Sequence, residues 1–267
     1  MASESASAAP DRSFDLPSGN AMPVLGFGTW QLRGNEATQA TGWALEAGYR
    51  HVDTAAVYHN EREVGAALTD TDIARDDIFV TTKIPPNRAG RERETLDQSL
   101  EALGNNHVDL WLIHWTPDEG VGVDLWQALA AARNEGLARD IGLSNYSLDQ
   151  IDQLSDATGV PPAVNQIEWS PLLFDRATLD RHRERGIVLE GYSALKGGTL
   201  EHPVIVTVAD RLGKTAAQVI IRWHLQHDVV VIPKSRDQQR IVSNAAVADF
   251  QLSDKDMAAL DALGTGG

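Results

Sequence analysis

The chain of 267 residues carries a formal net charge of −15, 42% apolar residues and no cysteine. This acidic balance excludes the basic surfaces that nucleic acid and anionic membranes select, leaving a small molecule as the expected partner, and the missing thiols exclude a disulfide framework, a thiolate nucleophile and a zinc–thiolate site. No apolar run approaches the roughly 18 residues that span a bilayer, and the opening MASESASAAPDR has no charged-then-apolar pattern, so a cytoplasmic location is expected.

Residues 1–12 read as a flexible tail and residues 13–267 as one domain. Residues 14–23, with Ser18, Gly19 and Asn20 in the middle, predict a hairpin. Short apolar runs rich in β-branched residues then alternate with longer amphipathic stretches. The spacing predicts a strand at 23–26 and a helix at 35–47, a strand at 50–53 and a helix at 61–68, then a strand at 78–83 and a helix at 91–103. It continues with strands at 108–114, 140–144, 163–167, 188–191 and 229–232, and helices at 124–135, 147–157, 176–185, 215–226 and 237–246. Ser147, Thr215 and Ser253 stand where helix N-caps belong, the last opening a final helix at 253–263.

Eight strands with intervening helices predict an α/β fold, a (β/α)8 TIM barrel with an N-terminal β-hairpin and a C-terminal extra helix. An open doubly wound sheet is the other architecture that such alternation permits. Its fingerprint is missing, because Gly26-Phe27-Gly28-Thr29-Trp30-Gln31 lacks the third glycine and a convincing helix after it. Gly213-Lys214-Thr215 likewise lacks the earlier glycine of a phosphate loop.

Polar residues at the C-terminal ends of barrel strands are the ones to examine for chemistry. Asp53 ends the second strand in HVDTAAVY, Tyr58 follows in the loop, Lys83 ends the third strand in VTTK, and His114 ends the fourth in DLWLIH. Each alone has a plain structural reading as a turn, surface or core residue; together they suit hydride reduction of a carbonyl. That reaction needs an acid for the developing alkoxide, and the expectation is that Lys83 lowers the Tyr58 phenol while Asp53 holds Lys83 and His114 offers a second donor to the same oxygen. The other histidines show no metal-ligand spacing, so no metal is expected.

The segments GFGTW, GYRHVDTAAVYHNEREVG, VTTK, DLWLIHW, IGLSNY, NQIEWSPLL and GKTAAQVIIRW running into VIPKS resemble the aldo-keto reductase superfamily, and within it the bacterial 2,5-diketo-D-gluconate reductase-like branch. The likeness extends from residue 14 to about residue 260. It implies NADPH bound in extended form on a (β/α)8 barrel, entering before the carbonyl substrate, with Asp53, Tyr58, Lys83 and His114 as catalytic tetrad. It further implies that Ser144, Asn145 and Gln166 bond the nicotinamide carboxamide and that Tyr192 stacks on the nicotinamide. Ser193 and Leu195 would lie along the pyrophosphate. Lys234, Ser235 and Arg240 would grip the adenosine 2′-phosphate and Asn244 would touch adenine, while Ser243 stands where many relatives carry a glutamate. Thr29 and Trp30 in GFGTW would complete the cofactor side. Trp30, Tyr58, His114 and Trp115 would line the substrate pocket, which the short segment 115–123 leaves open, and the resemblance implies a monomer.

Two other readings accompany this one. Lys83 is placed as a Schiff-base lysine of a lyase would be, which leaves the cofactor-like residues unused. A barrel that holds NADPH as a regulatory or redox-sensing ligand with little turnover leaves the tetrad unused.

Overall fold

A computed structural model describes residues 9–264. Of the expected flexible tail, residues 1–8 lie outside the described part. Arg12 is anchored, donating to the Leu225 carbonyl at 2.9 Å and pairing with Asp228.

The chain opens with β1 (Ser13–Asp15) and β2 (Ala21–Pro23), an antiparallel hairpin in which Phe14 faces Met22. Gly19, at φ +82, makes the turn that a side chain would strain. Then follow β3 (Phe27–Gly28), α1 (Gly34–Glu46), β4 (His51–Asp53), α2 (Glu61–Thr69), β5 (Phe79–Ile84), α3 (Glu92–Leu103), β6 (Val108–Ile113) and α4 (Val123–Asn134). The second half runs through β7 (Ala138–Ser144), α5 (Leu148–Thr158), β8 (Val164–Glu168), α6 (Arg176–Glu184), β9 (Val188–Tyr192), α7 (Pro203–Leu212), α8 (Ala216–Gln226), β10 (Val230–Val231), α9 (Gln238–Ala245) and α10 (Asp254–Asp261).

Strands β3 to β10 form one parallel sheet in sequence order. A parallel bridge between Leu25 and Val231 joins the last strand to the segment before β3, with Gly26 N donating to Val231 O at 2.9 Å. The fold is the expected (β/α)8 barrel. The hairpin covers its N-terminal end, where Leu16 and Met22 pack on Phe79, Leu110, Leu112, Ala163, Val164 and Val230.

The first barrel strand differs from the expected 23–26. Pro23 belongs to the hairpin, and Phe27 and Gly28 pair with Val52 and Asp53. Helix α7 is not anticipated by the sequence reading, since its VIVTV core is rich in β-branched residues. Its signals are at its ends: Pro203 opens the first turn, the His202 side chain accepts from Val204 N, and Gly213 closes the helix at φ +63. The expected caps form as capping boxes, Ser147 with Gln150, Thr215 with Gln218 and Ser253 with Asp256.

Helices α2 and α3 touch where Gly65 faces the end of α3. A Cβ there would lie 2.5 Å from the Ala102 carbonyl oxygen and 2.7 Å from Leu103 Cα, all of it backbone that cannot step aside. Gly65→Ala is therefore expected to lower stability by about 1–3 kcal/mol despite alanine's better helix propensity. A thermal melt reads the loss, and an unchanged Tm would show that the two helices can separate freely.

Candidate active site

All eight strands of the sheet run the same way, so their C-terminal ends gather at one mouth. A cavity of about 810 Å³ opens there, within the range of small-molecule sites. Asp53 is the last residue of β4, Lys83 the fifth of β5, and His114 the first after β6. Tyr58 ends a short turn of 3-10 helix that follows β4. Asn60, wholly buried, pins this turn: its amide donates to the carbonyls of Thr29 at 2.8 Å and Leu32 at 3.1 Å and accepts from Thr54 Oγ1 at 2.9 Å.

Lys83 lies beneath the cavity with no solvent exposure. Its ammonium donates to both carboxylate oxygens of Asp53, each at 2.7 Å, and to the Thr54 carbonyl at 2.8 Å. Three acceptors match the three N–H groups of an ammonium. Nζ is 5.2 Å from the centroid of the Tyr58 ring, and the His114 ring meets that ring edge-on at 5.6 Å. The structure thus brings the four predicted residues together, with Asp53, Tyr58 and His114 on the cavity wall.

Lys83 acts on the Tyr58 phenol in the expected direction but does not set the net shift. Burial pushes the Tyr58 phenol above its ordinary value, and although the Lys83 charge pulls it down, Asp53 pushes it up and the balance stays upward. Tyr58 is therefore a protonated acid in the resting protein. The Lys83 charge opposes the burial, which alone would make a phenolate there far less favourable. Burial also lowers Lys83, but Asp53 outweighs it and the net shift is upward, so the amine stays charged. His114 is pushed down to about 2, first by burial and then by the Lys83 charge. Its ring is neutral over the working pH range and can serve as a hydrogen-bond donor but not as a cation.

The same cavity is lined by Ser144, Asn145, Gln166, Tyr192, Ser193, Leu195 and Lys196, and beyond β10 by Lys234, Ser235, Arg240, Ser243 and Asn244. Asn145 sits at φ 64, a strained backbone for a non-glycine residue. Its amide is tied on both sides, donating to His114 O and Ser144 Oγ, each at 3.0 Å, and accepting from the Tyr192 hydroxyl at 2.7 Å. Gln166 spends both amide protons on carboxyl groups, Asp53 Oδ2 and Glu190 Oε2, each at 2.9 Å. Its carbonyl oxygen is the part of that amide left for a ligand N–H, as a carboxamide would offer.

Amides beside a partly exposed tyrosine, with a lysine and an arginine further along the same cavity, fit a phosphorylated nicotinamide dinucleotide in donor type and in size. Thr29 does not join them. It is wholly buried, and its hydroxyl donates to the Asp53 carbonyl at 2.9 Å, which ties the ends of β3 and β4 together beneath the site.

Trp30 and Trp115 are 42% and 45% exposed. Trp115 stacks on the His114 ring at 3.6 Å and holds it against the wall. Lys196 Nζ lies 3.7 Å from the Trp30 ring centroid, a cation–π contact between the loops after β9 and β3. Sequence reasoning misses Asn60, Leu200 and the start of α8, where Thr215, Ala216 and Ala217 also line the cavity. The capping pattern locates that helix start, but only the closed barrel brings it to the mouth.

Residues 24–265 match the model of a family described as the Aldo/keto reductase family. The chain is 43% identical over 255 residues to an aldo-keto reductase of Mycolicibacterium smegmatis, covering 94% of this chain and 93% of that one. It is 43% identical over 245 residues to the methylglyoxal reductase DkgA of Salmonella typhimurium, covering 90% and 89%. Among solved structures it resembles a Bombyx mori aldo-keto reductase in complex with NADP, with a TM-score of 0.88, 32% identity, and coverage of 96% of this chain and 93% of that one.

Proposed function

Because the chain belongs to the aldo/keto reductase family, we propose that it reduces aldehydes and ketones to alcohols with NADPH, and that Tyr58 supplies the proton. The observation that carries this is the Lys83 ammonium, fixed by Asp53 and Thr54 beneath the ring of a tyrosine that faces a dinucleotide-sized cavity.

When bound, the nicotinamide supplies a hydride to the carbonyl carbon. The residues that would hold it are Gln166, whose side-chain carbonyl oxygen would accept from the carboxamide, Asn145, and Tyr192, whose ring would lie against the nicotinamide. The substrate oxygen accepts hydrogen bonds from Tyr58 and from neutral His114. As negative charge grows on that oxygen, the proton leaves the Tyr58 hydroxyl for it, and the Lys83 charge stabilises the phenolate left behind. Solvent at the open mouth then restores the proton to Tyr58.

Lys234 and Arg240 give the preference for the 2′-phosphate. Replacing both with methionine is expected to weaken NADPH binding about 10- to 100-fold, from the loss of charge-assisted hydrogen bonds, while NADH affinity stays nearly constant. Fluorescence titration with the two cofactors reads the ratio, and an equal loss for both would assign these residues to packing.

A Schiff-base role for Lys83 needs a neutral, accessible amine. Here the amine is charged, sealed from solvent and hydrogen-bonded in all three directions, which favours the reductase over the lyase. The broad test is a panel of aldehydes, ketones and keto sugars, with methylglyoxal among them because of the Salmonella relative's name. Consumption of NADPH with several members is expected from the open mouth, and none with any member would defeat the proposal.

A further inference from the structure

Strand β9 carries an acid that the mechanism above does not use. Glu190 is wholly buried inside the barrel. Its Oε2 accepts from Gln166 Nε2 at 2.9 Å, and the same amide nitrogen donates to Asp53 Oδ2 at 2.9 Å. Its other oxygen, Oε1, is buried without a hydrogen-bond partner. The nearest ring nitrogen, His51 Nε2, lies 3.7 Å away and is engaged with Thr81 Oγ1 at 3.1 Å.

The groups that face Glu190 are His51 and Asp53 from β4, Lys83 from β5 and Gln166 from β8, while its register partner on β10 is the uncharged Val230. Burial pushes His51 down to about 3, so its ring is neutral. The only cation in the group is Lys83, whose N–H groups go to Asp53 and Thr54. Two carboxyl groups therefore share one amide donor and one ammonium, in an interior that resists unpaired charge. Asp53 holds the ammonium directly. That leaves Glu190 as the carboxyl to carry a proton, with Oε1 the oxygen that accepts no hydrogen bond.

We propose that Glu190 is a positioning residue that carries a proton at neutral pH, keeps the barrel interior electrically neutral, and so leaves the Lys83 charge available to the Tyr58 phenolate. The link to Tyr58 rests on the reductase reading; the proton itself does not. Burial together with the neighbouring Asp53 pushes Glu190 up to about 8, in keeping with this arrangement. Ionised, it would add a second anion close to Lys83 and oppose formation of a phenolate above it, as Asp53 already does.

The protein without cofactor provides the first test. The folded chain holds the Glu190 proton more tightly than the unfolded chain, whose carboxyl ionises near 4.5, so this group's stabilisation is complete below that pH and is lost as pH rises towards about 8. Glu190→Gln keeps an acceptor for Gln166 and cannot ionise; Glu190→Met, apolar and of similar length, provides a second non-ionising side chain should the first not fold. The Tm of either variant, relative to wild type, is expected to climb between about pH 5 and about pH 9. Tm differences that stay constant over that range overturn the proposal.

The second test is the pH dependence of reduction, with each protein normalised to its own rate at neutral pH. The wild type is expected to fall behind Glu190→Gln by about threefold or more at alkaline pH, as the interior gains a negative charge. Coincident profiles overturn the connection to Tyr58. A wild type that consumes no NADPH with any carbonyl defeats the reductase reading and that connection, while the melting curves still decide on the proton.

Discussion

Tyr58→Phe is expected to lower the rate of NADPH oxidation with a general aldehyde by about 10²- to 10⁴-fold, the range that a positioned general acid supplies, while NADPH affinity changes little. The substitution removes one hydroxyl and keeps the ring, so the edge-on packing against His114 at 5.6 Å and the contact with Lys83 at 5.2 Å survive. What disappears is the hydroxyl of the ring that lies 5.2 Å from the ammonium. His114 cannot take over as the acid, because its ring is neutral throughout the working range and neutral imidazole is a poor proton donor. Stopped-flow absorbance separates hydride transfer from product release, and fluorescence quenching gives cofactor affinity. Near-normal single-turnover rates would remove Tyr58 from the mechanism.

Lys83→Met is expected to damage both activity and fold. It leaves Asp53 buried with its carboxylate unpaired, and breaking one side of such a pair costs about 3–5 kcal/mol. The Thr54 carbonyl loses its partner as well. The double variant Asp53→Asn with Lys83→Met removes both charges and is expected to melt well above the single variant, since no isolated charge remains in the core. Its reduction rate should still be lower than that of the wild type by at least about 10²-fold, because nothing cationic then lies beneath Tyr58. Recovery of stability without recovery of rate separates the charge from the packing; recovery of both would show that the ammonium serves only the fold.

Asp53, Lys83 and His114 are legible in the sequence because each is a polar residue at the C-terminal end of an apolar run, where a parallel barrel puts its chemistry. The helices framed by cap residues are legible for a similar reason: Ser147, Thr215 and Ser253 mark their starts through local hydrogen bonds alone. The first strand is misplaced because Val24 and Leu25 are as strand-like as Phe27, and only the pairing of Gly28 with Asp53 decides between them. Helix α7 is missed because β-branched residues dominate its interior and tertiary packing overrides their preference.

Within the site, Tyr58's resting state depends on how deeply the ring is buried, a quantity that spacing does not contain. Asn60 and Glu190 escape notice for the same cause. One looks like a loop polar residue and the other like an interruption in VLEGY, until the barrel closes and gives Asn60 the carbonyls of Thr29 and Leu32 and gives Glu190 the Gln166 amide as partners.

The plug that Leu16 and Met22 form at the foot of the barrel closes that end among the described residues and leaves the cavity open at the opposite mouth. Traffic through it must queue: if the dinucleotide lies along the loops of β7 to β10 with its ring at the bottom of the well, a carbonyl compound can only arrive on top of it, and the alcohol has to step out before the spent dinucleotide can be exchanged. Steady-state patterns are then expected to be sequential, with the oxidised dinucleotide competing against the reduced one and the alcohol not doing so.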